Sequence, residues 1–237
     1  MRSNYNDIID VILTLIEDED IQKNIAIAGS IVPYIISKKD SNEFHSDFYV
    51  LVKEKKINSI RRKMKRLSNE YEFDFVSDSI KYGNGDYGLK VKYENTAIGF
   101  FPYSLINNNL CIKTYAKMKD EGKIKLKRKL IPDVSKSSVI RLIPFNDDST
   151  LRIMSPEFVL AEIETREKDY EYTTKETYRL LDKMVDESVL KKVRDSVKRT
   201  RISVETKGLT NMNLILTIIL ALVFIALILV AVLVVKK

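Results

Sequence analysis

The chain of 237 residues is long enough for one folded domain with a substantial core and for further segments around it. Its net charge of +7 favours an anionic partner such as a membrane surface, a nucleic acid or a nucleotide, although a lysine-rich composition typical of an AT-biased genome explains the same charge. A single cysteine, Cys111, excludes an internal disulfide, and one cysteine with one histidine is too few for a structural zinc site.

The first half of the chain is predicted to alternate helices and strands. Apolar residues at helical spacing predict a helix from Asn4 to Glu19, with Ser3 or Asn4 as its N-cap. The next elements are a strand at Ile25–Ala28, a helix from Ile31 with Pro33 in its first turn, a polar loop at Ser37–Ser46, a strand at Phe48–Lys53, a basic helix at Ile57–Tyr71, a short strand at Tyr71–Val76 and a turn at Asn84-Gly85.

The second half is predicted to be rich in strands before it ends in helices. The strands are a hairpin of Tyr87–Tyr93 and Thr96–Phe101 that Pro102 ends, followed by Leu110–Tyr115, Lys123–Lys127, Val139–Ile143 and Thr150–Ile153. Ser155-Pro156-Glu157 predicts the start of a helix, and Thr173–Glu176 predicts a capping box for a last one.

The C-terminal segment Leu214–Val235 carries no charge over 22 residues, which is long enough to cross a bilayer as one helix. Basic residues precede it and suit anionic lipid headgroups: Lys198, Arg199, Arg201 and Lys207. By the positive-inside rule, we expect a single-pass protein of the cytoplasmic membrane with its N-terminal domain in the cytoplasm.

A glycine–serine pair joins the first strand to the helix that follows it. Gly29 allows the backbone to approach a ligand closely, and Ser30 lies where a helix N-terminus offers amides to phosphate oxygens. Asp47 opens the next strand, where its carboxylate is suited to Mg²⁺. The alternative for Gly29-Ser30 is an ordinary strand-to-helix turn, and the alternative for Asp47 is an N-cap-like loop acid.

This pattern resembles the signature of the nucleotidyltransferase superfamily with the polymerase-beta-like fold, in which a Gly-Ser turn precedes an Asp-x-Asp or Asp-x-Glu pair on the next strand. GSIVPYIISKKDSNEFHSDFY resembles small nucleotidyltransferase-like proteins of AT-rich Gram-positive bacteria, and Tyr87–Tyr103 and Met154–Glu171 are similar to later parts of them. The resemblance covers about Asn24 to Val197.

The resemblance implies an NTP as ligand or substrate and Mg²⁺ bound by two acids, of which this chain keeps only Asp47. Tyr49 stands where the second carboxylate belongs, and a neutral phenol does not replace a carboxylate. Where a neighbouring strand supplies the third acid, this chain has Lys90, Lys92 and Gly99, and the nearby Glu94 falls in a turn. We expect Lys90 and Lys92 to contact the nucleotide and to supply positive charge in place of the missing acids.

The remaining candidate residues each have two interpretations. His45 and Ser46 contact a nucleotide phosphate, or His45 is an exposed loop residue without function. Tyr49 is a packed strand residue, or its ring stacks on a base. The cations of the helix Arg61–Arg66 and of the row Lys123–Lys129 bind RNA, or they are solvated faces.

The fold class expected is therefore α+β, a nucleotidyltransferase-like mixed sheet flanked by helices. The expected domains are residues 1–153, C-terminal helices at 154–199, a juxtamembrane linker at 200–213 and the membrane helix at 214–235. The missing acid favours a catalytically impaired protein that binds a nucleotide or a partner at the membrane. The alternative is an active, toxin-like enzyme that moves an NMP group from NTP to RNA or protein.

Overall fold

The computed structural model describes residues 3–46, 48–70, 74–75, 87–118, 123–147, 149–166, 175–208, 219–220 and 222–223. Its main helices are α1 (Tyr5–Glu17), α2 (Glu19–Gln22), α3 (Val32–Ser37), α4 (Ile57–Glu70), α5 (Lys136–Val139), α6 (Pro156–Arg166), α7 (Lys175–Asp182) and α8 (Glu187–Lys198), with a 3-10 turn at Glu54–Lys56. Its strands are β1 (Ile25–Ala28), β2 (Tyr49–Lys53), β3 (Asp74–Phe75), β4 (Leu89–Tyr93), β5 (Thr96–Ile106), β6 (Asn109–Met118), β7 (Lys123–Ile131), β8 (Ile140–Asn146), β9 (Ser149–Met154) and β10 (Arg201–Gly208).

The chain divides into two compact units. The first comprises Met1–Thr114 and Lys127–Ser203, and the second comprises Tyr115–Leu126 and Val204–Lys237. All of the side chains discussed below as a candidate site lie in the first unit.

The first unit contains a mixed sheet with helices, which confirms the predicted α+β class. Within the first unit the strand order is β6-β5-β2-β1-β9-β8, with β4 also paired to β5 and β3 to β4. β1 runs antiparallel to β2 and parallel to β9, while β2 runs parallel to β5. The end of β1 and the start of β2 therefore lie side by side at one edge of the central strands, with Ala28 opposite Tyr49.

The amphipathic helices cover the sheet as their spacing predicts. α1 buries Ile8, Val11, Ile12 and Leu15, and α4 buries Ile57, Ile60, Met64 and Leu67. β1 is buried along its whole length because it lies between two strands and under helices. Burial of each large aliphatic side chain contributes roughly 1.5–3 kcal/mol relative to its exposure.

Several predicted strands end later in the structure, since β6 extends to Met118, β7 to Ile131 and β8 to Asn146. The prediction that Pro102 ends a strand is wrong, because β5 continues through Pro102 to Ile106. Pro102 is opposite Val52 of β2, so β2 continues alongside it. On the other side of β5, the described pairing with β4 ends at Phe100 and the pairing with β6 begins at Tyr103. A proline that lacks an N–H group is tolerated at a position where one side of the strand makes no ladder bond.

The helix start predicted at Ser155 is confirmed. Its hydroxyl accepts a hydrogen bond from the backbone N–H of Phe158 at 3.3 Å, and Pro156 opens α6. α6 is buried on most of its circumference, including Phe158 at 0% exposure. The capping box predicted at Thr173–Glu176 begins outside the described residues, and the turn at Asn84-Gly85 lies wholly outside them.

The C-terminal predictions are only partly covered by the described residues. Within the predicted linker 200–213, the segment Arg201–Gly208 forms strand β10. Of Leu214–Val235, only 219–220 and 222–223 are described, as helix. No helix in the described part of the chain is long and apolar enough to cross a membrane, so the membrane helix stays a prediction without structural support.

Candidate functional site

The turn between β1 and α3 has the backbone shape that its sequence predicts. Gly29 has φ 93°, a conformation that favours glycine, and it follows the buried strand directly. The carbonyl oxygen of Gly29 accepts a hydrogen bond from the N–H of Val32 at 3.1 Å, which closes the turn into the helix. Pro33 lies in the first turn of α3, where its missing donor costs little.

Of the two interpretations of His45, the exposed loop residue is wrong, and the contact with a nucleotide phosphate stays a prediction. His45 is 3% exposed, and both of its ring nitrogens bind serine hydroxyls. Its Nδ1 lies 2.7 Å from the Ser30 Oγ, and its Nε2 lies 2.8 Å from the Ser41 Oγ. Which serine donates to the ring and which accepts from it depends on the tautomer of the imidazole. The ring thus joins the turn to the loop that follows α3.

Asn4 fixes the same loop from the N-terminal side. It occupies the N-cap position of α1, as predicted, but its side chain makes no capping bond. Its Oδ1 accepts from the N–H of His45 at 2.9 Å, and its Nδ2 donates to the carbonyl oxygen of His45 at 3.2 Å and to the Thr96 Oγ1 at 3.1 Å. Asn4 is 1% exposed, so these bonds replace water for a fully buried amide.

Tyr34 of α3 packs on the other side of the imidazole. Its ring meets the ring of His45 edge to face, with centroids 5.2 Å apart. Its hydroxyl lies 3.4 Å from the Thr177 Oγ1, which also lies 3.3 Å from the Glu43 Oε2. Burial raises the pKa of Tyr34, so its hydroxyl stays protonated and able to donate. These contacts connect α3, the 38–46 loop and α7 around His45.

Tyr49, at the position of the missing carboxylate, has a specific polar partner. Its hydroxyl donates to the Glu162 Oε2 at 2.7 Å, and the other oxygen of Glu162 binds the Lys129 Nζ in an ion pair. The Glu162 side chain is 5% exposed and that of Lys129 is 24% exposed. A buried carboxylate paired with a cation and a phenol hydroxyl is satisfied, since both of its oxygens are bound.

An aromatic pair and two lysines share the face of the sheet on which Tyr49 lies. The rings of Tyr49 and Phe101 are 5.9 Å apart, tilted by 52°. Gly99 is opposite both Tyr49 and Lys90, and residues in register lie on one face. A Cβ at Gly99 would lie 2.5 Å from the Phe101 ring, so the glycine leaves the space that this ring fills. Lys90 and Lys92 are exposed along the same face.

The residues described here do not form the Mg²⁺ site that the sequence predicts. Asp47 lies outside the described residues, so its role as a ligand stays a prediction, and its neighbour Ser46 is exposed. In the described residues no group of three or more His, Cys, Asp and Glu side chains is placed to hold a metal ion. Glu162 already holds an ammonium group and a phenol hydroxyl, which leaves it unsuited to a divalent cation.

The basic surfaces considered for RNA are partly occupied by internal ion pairs. On α4, the Lys63 Nζ lies 2.7 Å from the Asp18 Oδ1, and the Arg66 Nη2 lies 3.8 Å from the Asp18 Oδ2. In the row Lys123–Lys129, Lys129 pairs with Glu162 and so is not a solvated cation. Charges that are already paired contribute less to binding a polyanion.

The basic residues predicted to meet lipid headgroups differ in their surroundings. Lys198, Arg199 and Arg201 are all exposed, and the Arg199 Nη1 also lies 2.7 Å from the Asp133 Oδ2. Lys207 lies in β10. Their contact with lipid stays a prediction.

Sequence reasoning missed the residues that connect these elements, above all Glu162 and Lys129. Glu162 interrupts the apolar run Phe158–Ile163, and an acid inside such a run is the signal that marks a buried, paired carboxylate. Ser41 and Thr96 carried no comparable signal, because a polar loop and a strand end contain such residues without any role.

Comparison with known proteins adds little to this geometry. No protein-family model matches the chain, and no curated protein matches it. Among solved structures, the chain is similar to the solution structure of the antibiotic-resistance factor ANT(2'')-Ia, with 12% identity over 82% of this chain and 92% of that chain and a TM-score of 0.49. A likeness this weak leaves fold family and function to be argued from the chain's own residues.

Proposed function

We propose that this chain has a nucleotidyltransferase-like fold that binds a nucleotide beside the Gly29–Ser30 turn but is impaired in nucleotidyl transfer. We further propose that Leu214–Val235 holds it at the cytoplasmic face of a membrane. The nucleotide part is supported by the adjacency of the turn, the start of β2 and the lysines of one sheet face. The aromatic pair Tyr49 and Phe101 offers a nucleobase an apolar surface.

The position of Tyr49 is the observation that carries the proposal. Tyr49 is opposite Ala28, the residue immediately before Gly29, so its side chain begins next to the turn. A carboxylate at this position would complete an acidic pair with Asp47. The phenol instead donates a hydrogen bond to Glu162, whose other oxygen binds Lys129. A single acid does not hold two metal ions, and without them transfer loses several orders of magnitude in rate.

The membrane part rests on the sequence. A helix of 22 residues, the length of Leu214–Val235, is about 33 Å long, close to the roughly 30 Å of a bilayer core. The preceding basic residues favour the cytoplasmic side, where anionic lipids concentrate. Soluble proteins rarely carry so long a segment without one charge.

One experiment on membrane vesicles that carry the full chain tests both parts. The vesicles are washed with alkaline carbonate and incubated with each α-labelled NTP in Mg²⁺ or Mn²⁺, with and without added RNA. We expect the chain to stay with the membrane and no label to transfer to protein or RNA. We also expect NTP at about 100 times its Kd to stabilise the fold by roughly 2.7 kcal/mol.

If the chain is instead an active nucleotidyltransferase, the same experiment gives a different result. Label on protein or RNA that disappears in the Asp47→Asn variant would establish an active transferase and contradict the impairment. Neither labelling nor stabilisation by any NTP would overturn the nucleotide proposal. Release of the chain by carbonate would overturn the membrane part alone.

A further inference from the structure

We propose that His45 is a positioning residue that acts on a bound nucleotide through Ser30. Its Nδ1–H donates to the Ser30 Oγ, so the Ser30 hydroxyl donates its own proton away from the ring, to a phosphate oxygen of the nucleotide. The inference rests on the proposed function, because it concerns the turn at which the nucleotide is proposed to bind. The ring of His45 is 3% exposed and both of its nitrogens bind serines, so its effect on the nucleotide passes through Ser30.

The contacts of Ser41 favour an Nε2 without a proton. The Ser41 Oγ lies 2.8 Å from the Nε2 of His45 and also accepts from the backbone N–H of Glu43 at 3.2 Å. Tyr34 brings a further proton to this side of the ring, because burial raises the pKa of its hydroxyl, which bonds to Ser41 and Glu43. A serine hydroxyl accepts two hydrogen bonds and donates one, so Ser41, with donors already beside it, gives its own proton to Nε2. The neutral ring then carries its proton on Nδ1.

This tautomer sets the direction of the hydrogen bond at the turn. Nδ1–H donates to the Ser30 Oγ across 2.7 Å, and Ser30, next to Gly29, keeps 8% of its surface exposed. A hydroxyl that accepts from the ring donates in another direction, whichever group takes its proton before a ligand binds. A phosphate oxygen is a charged acceptor and forms a stronger bond than a neutral one, so it takes this proton when a nucleotide binds. In the opposite tautomer Nδ1 would take the Ser30 proton, and the nucleotide would lose this donor.

The first test observes the ring nitrogens directly. His45 is the only histidine of the chain, so isotope-labelled histidine reports on this ring alone. The full chain in lipid vesicles is studied by solid-state NMR at about pH 8.5, roughly two units above the ordinary pKa of a histidine. A ring nitrogen that carries a proton resonates far from one that does not, and couplings to the ring carbons distinguish Nδ1 from Nε2. We expect the proton on Nδ1, and a proton on Nε2 with none on Nδ1 would overturn the inference whether or not the chain binds a nucleotide.

The second test adds ATP, CTP, GTP or UTP with Mg²⁺ to the same vesicles. A Ser30 hydroxyl that donates to a phosphate becomes a stronger acceptor for Nδ1–H, so we expect the Nδ1 resonance to move with the nucleotide that binds. Binding that leaves this resonance in place would overturn the role of His45. No binding of any of the four would instead overturn the proposed function, and the role of His45 with it.

Variants then separate the hydrogen bonds from general packing. We expect Ser30→Ala to raise the Kd about tenfold or more, the effect of a lost hydrogen bond to a charged group. Ser41→Ala removes the donor to Nε2, so we expect a mixture of tautomers and a Kd raised about threefold or more. The matched control is Ser37→Ala, because the Ser37 hydroxyl donates within α3, to the carbonyl oxygen of Pro33 at 2.8 Å. Unchanged ring nitrogens and equal Kd values in Ser41→Ala and Ser37→Ala would overturn the inference.

Discussion

Replacing Asn4 with alanine is expected to lower the free energy of unfolding by about 3 kcal/mol. The change removes the hydrogen bonds of a buried amide and leaves buried polar groups without these partners. The N–H and carbonyl groups of His45 and the hydroxyl of Thr96 lose the side chain that binds them at 2.9, 3.2 and 3.1 Å. Urea unfolding followed by circular dichroism measures the loss. Nucleotide affinity should fall as well, since the loop that carries His45 is no longer held against the turn.

The matched control is Asn6→Ala, two residues further along the same helix. Asn6 is exposed, so we expect a change within about 0.5 kcal/mol. If Asn4→Ala is no more destabilising than Asn6→Ala, the buried network does not hold the loop, and the geometry described around His45 is wrong.

Replacing Tyr49 with aspartate is expected to destabilise the chain by about 3 kcal/mol and to leave nucleotidyl transfer absent. The change restores the acid of the sequence pattern, but it removes a ring that packs on Phe101 and places a second negative charge near Glu162. Lys129 is shared between two carboxylates in the variant, so a divalent cation still competes with it. The measurements are urea unfolding and transfer from α-labelled NTP.

The control for this change is Tyr49→Phe, which keeps the ring and removes only the hydroxyl. We expect it to lose about 1.5–3 kcal/mol, the contribution of a hydrogen bond to a charged group. Full metal-dependent transfer by Tyr49→Asp at unchanged stability would show that the cluster around Glu162 does not exclude a metal ion.

The local elements around the turn were predictable because short-range rules determine them. A four-residue apolar run, a glycine able to adopt φ 93° and a proline suited to a first helical turn specify β1, the turn and α3. The hairpin of β4 and β5 follows from alternation about Glu94-Asn95, and the apolar stripe of α4 follows from its spacing.

The contacts between distant elements were not predictable, since they depend on register and on packing. Nothing in the sequence near Tyr49 indicates that Glu162, 113 positions later, provides its partner. The same holds for Asn4 and His45, which are 41 positions apart. β10 was missed for a different reason: its alternation of Ile202 and Val204 with polar residues is a strand pattern, but its polarity favoured a linker.

The central claim is that a nucleotide binds where β1 ends and β2 begins, and photoaffinity labelling tests it most directly. The full chain in micelles is irradiated with 8-azido-ATP, digested and mapped by mass spectrometry, with excess ATP as competitor. We predict competed label on peptides from 24–53 or 87–106, which carry the turn, Tyr49 and Phe101. Competed label confined to other peptides, or label that ATP does not reduce, would contradict the claim.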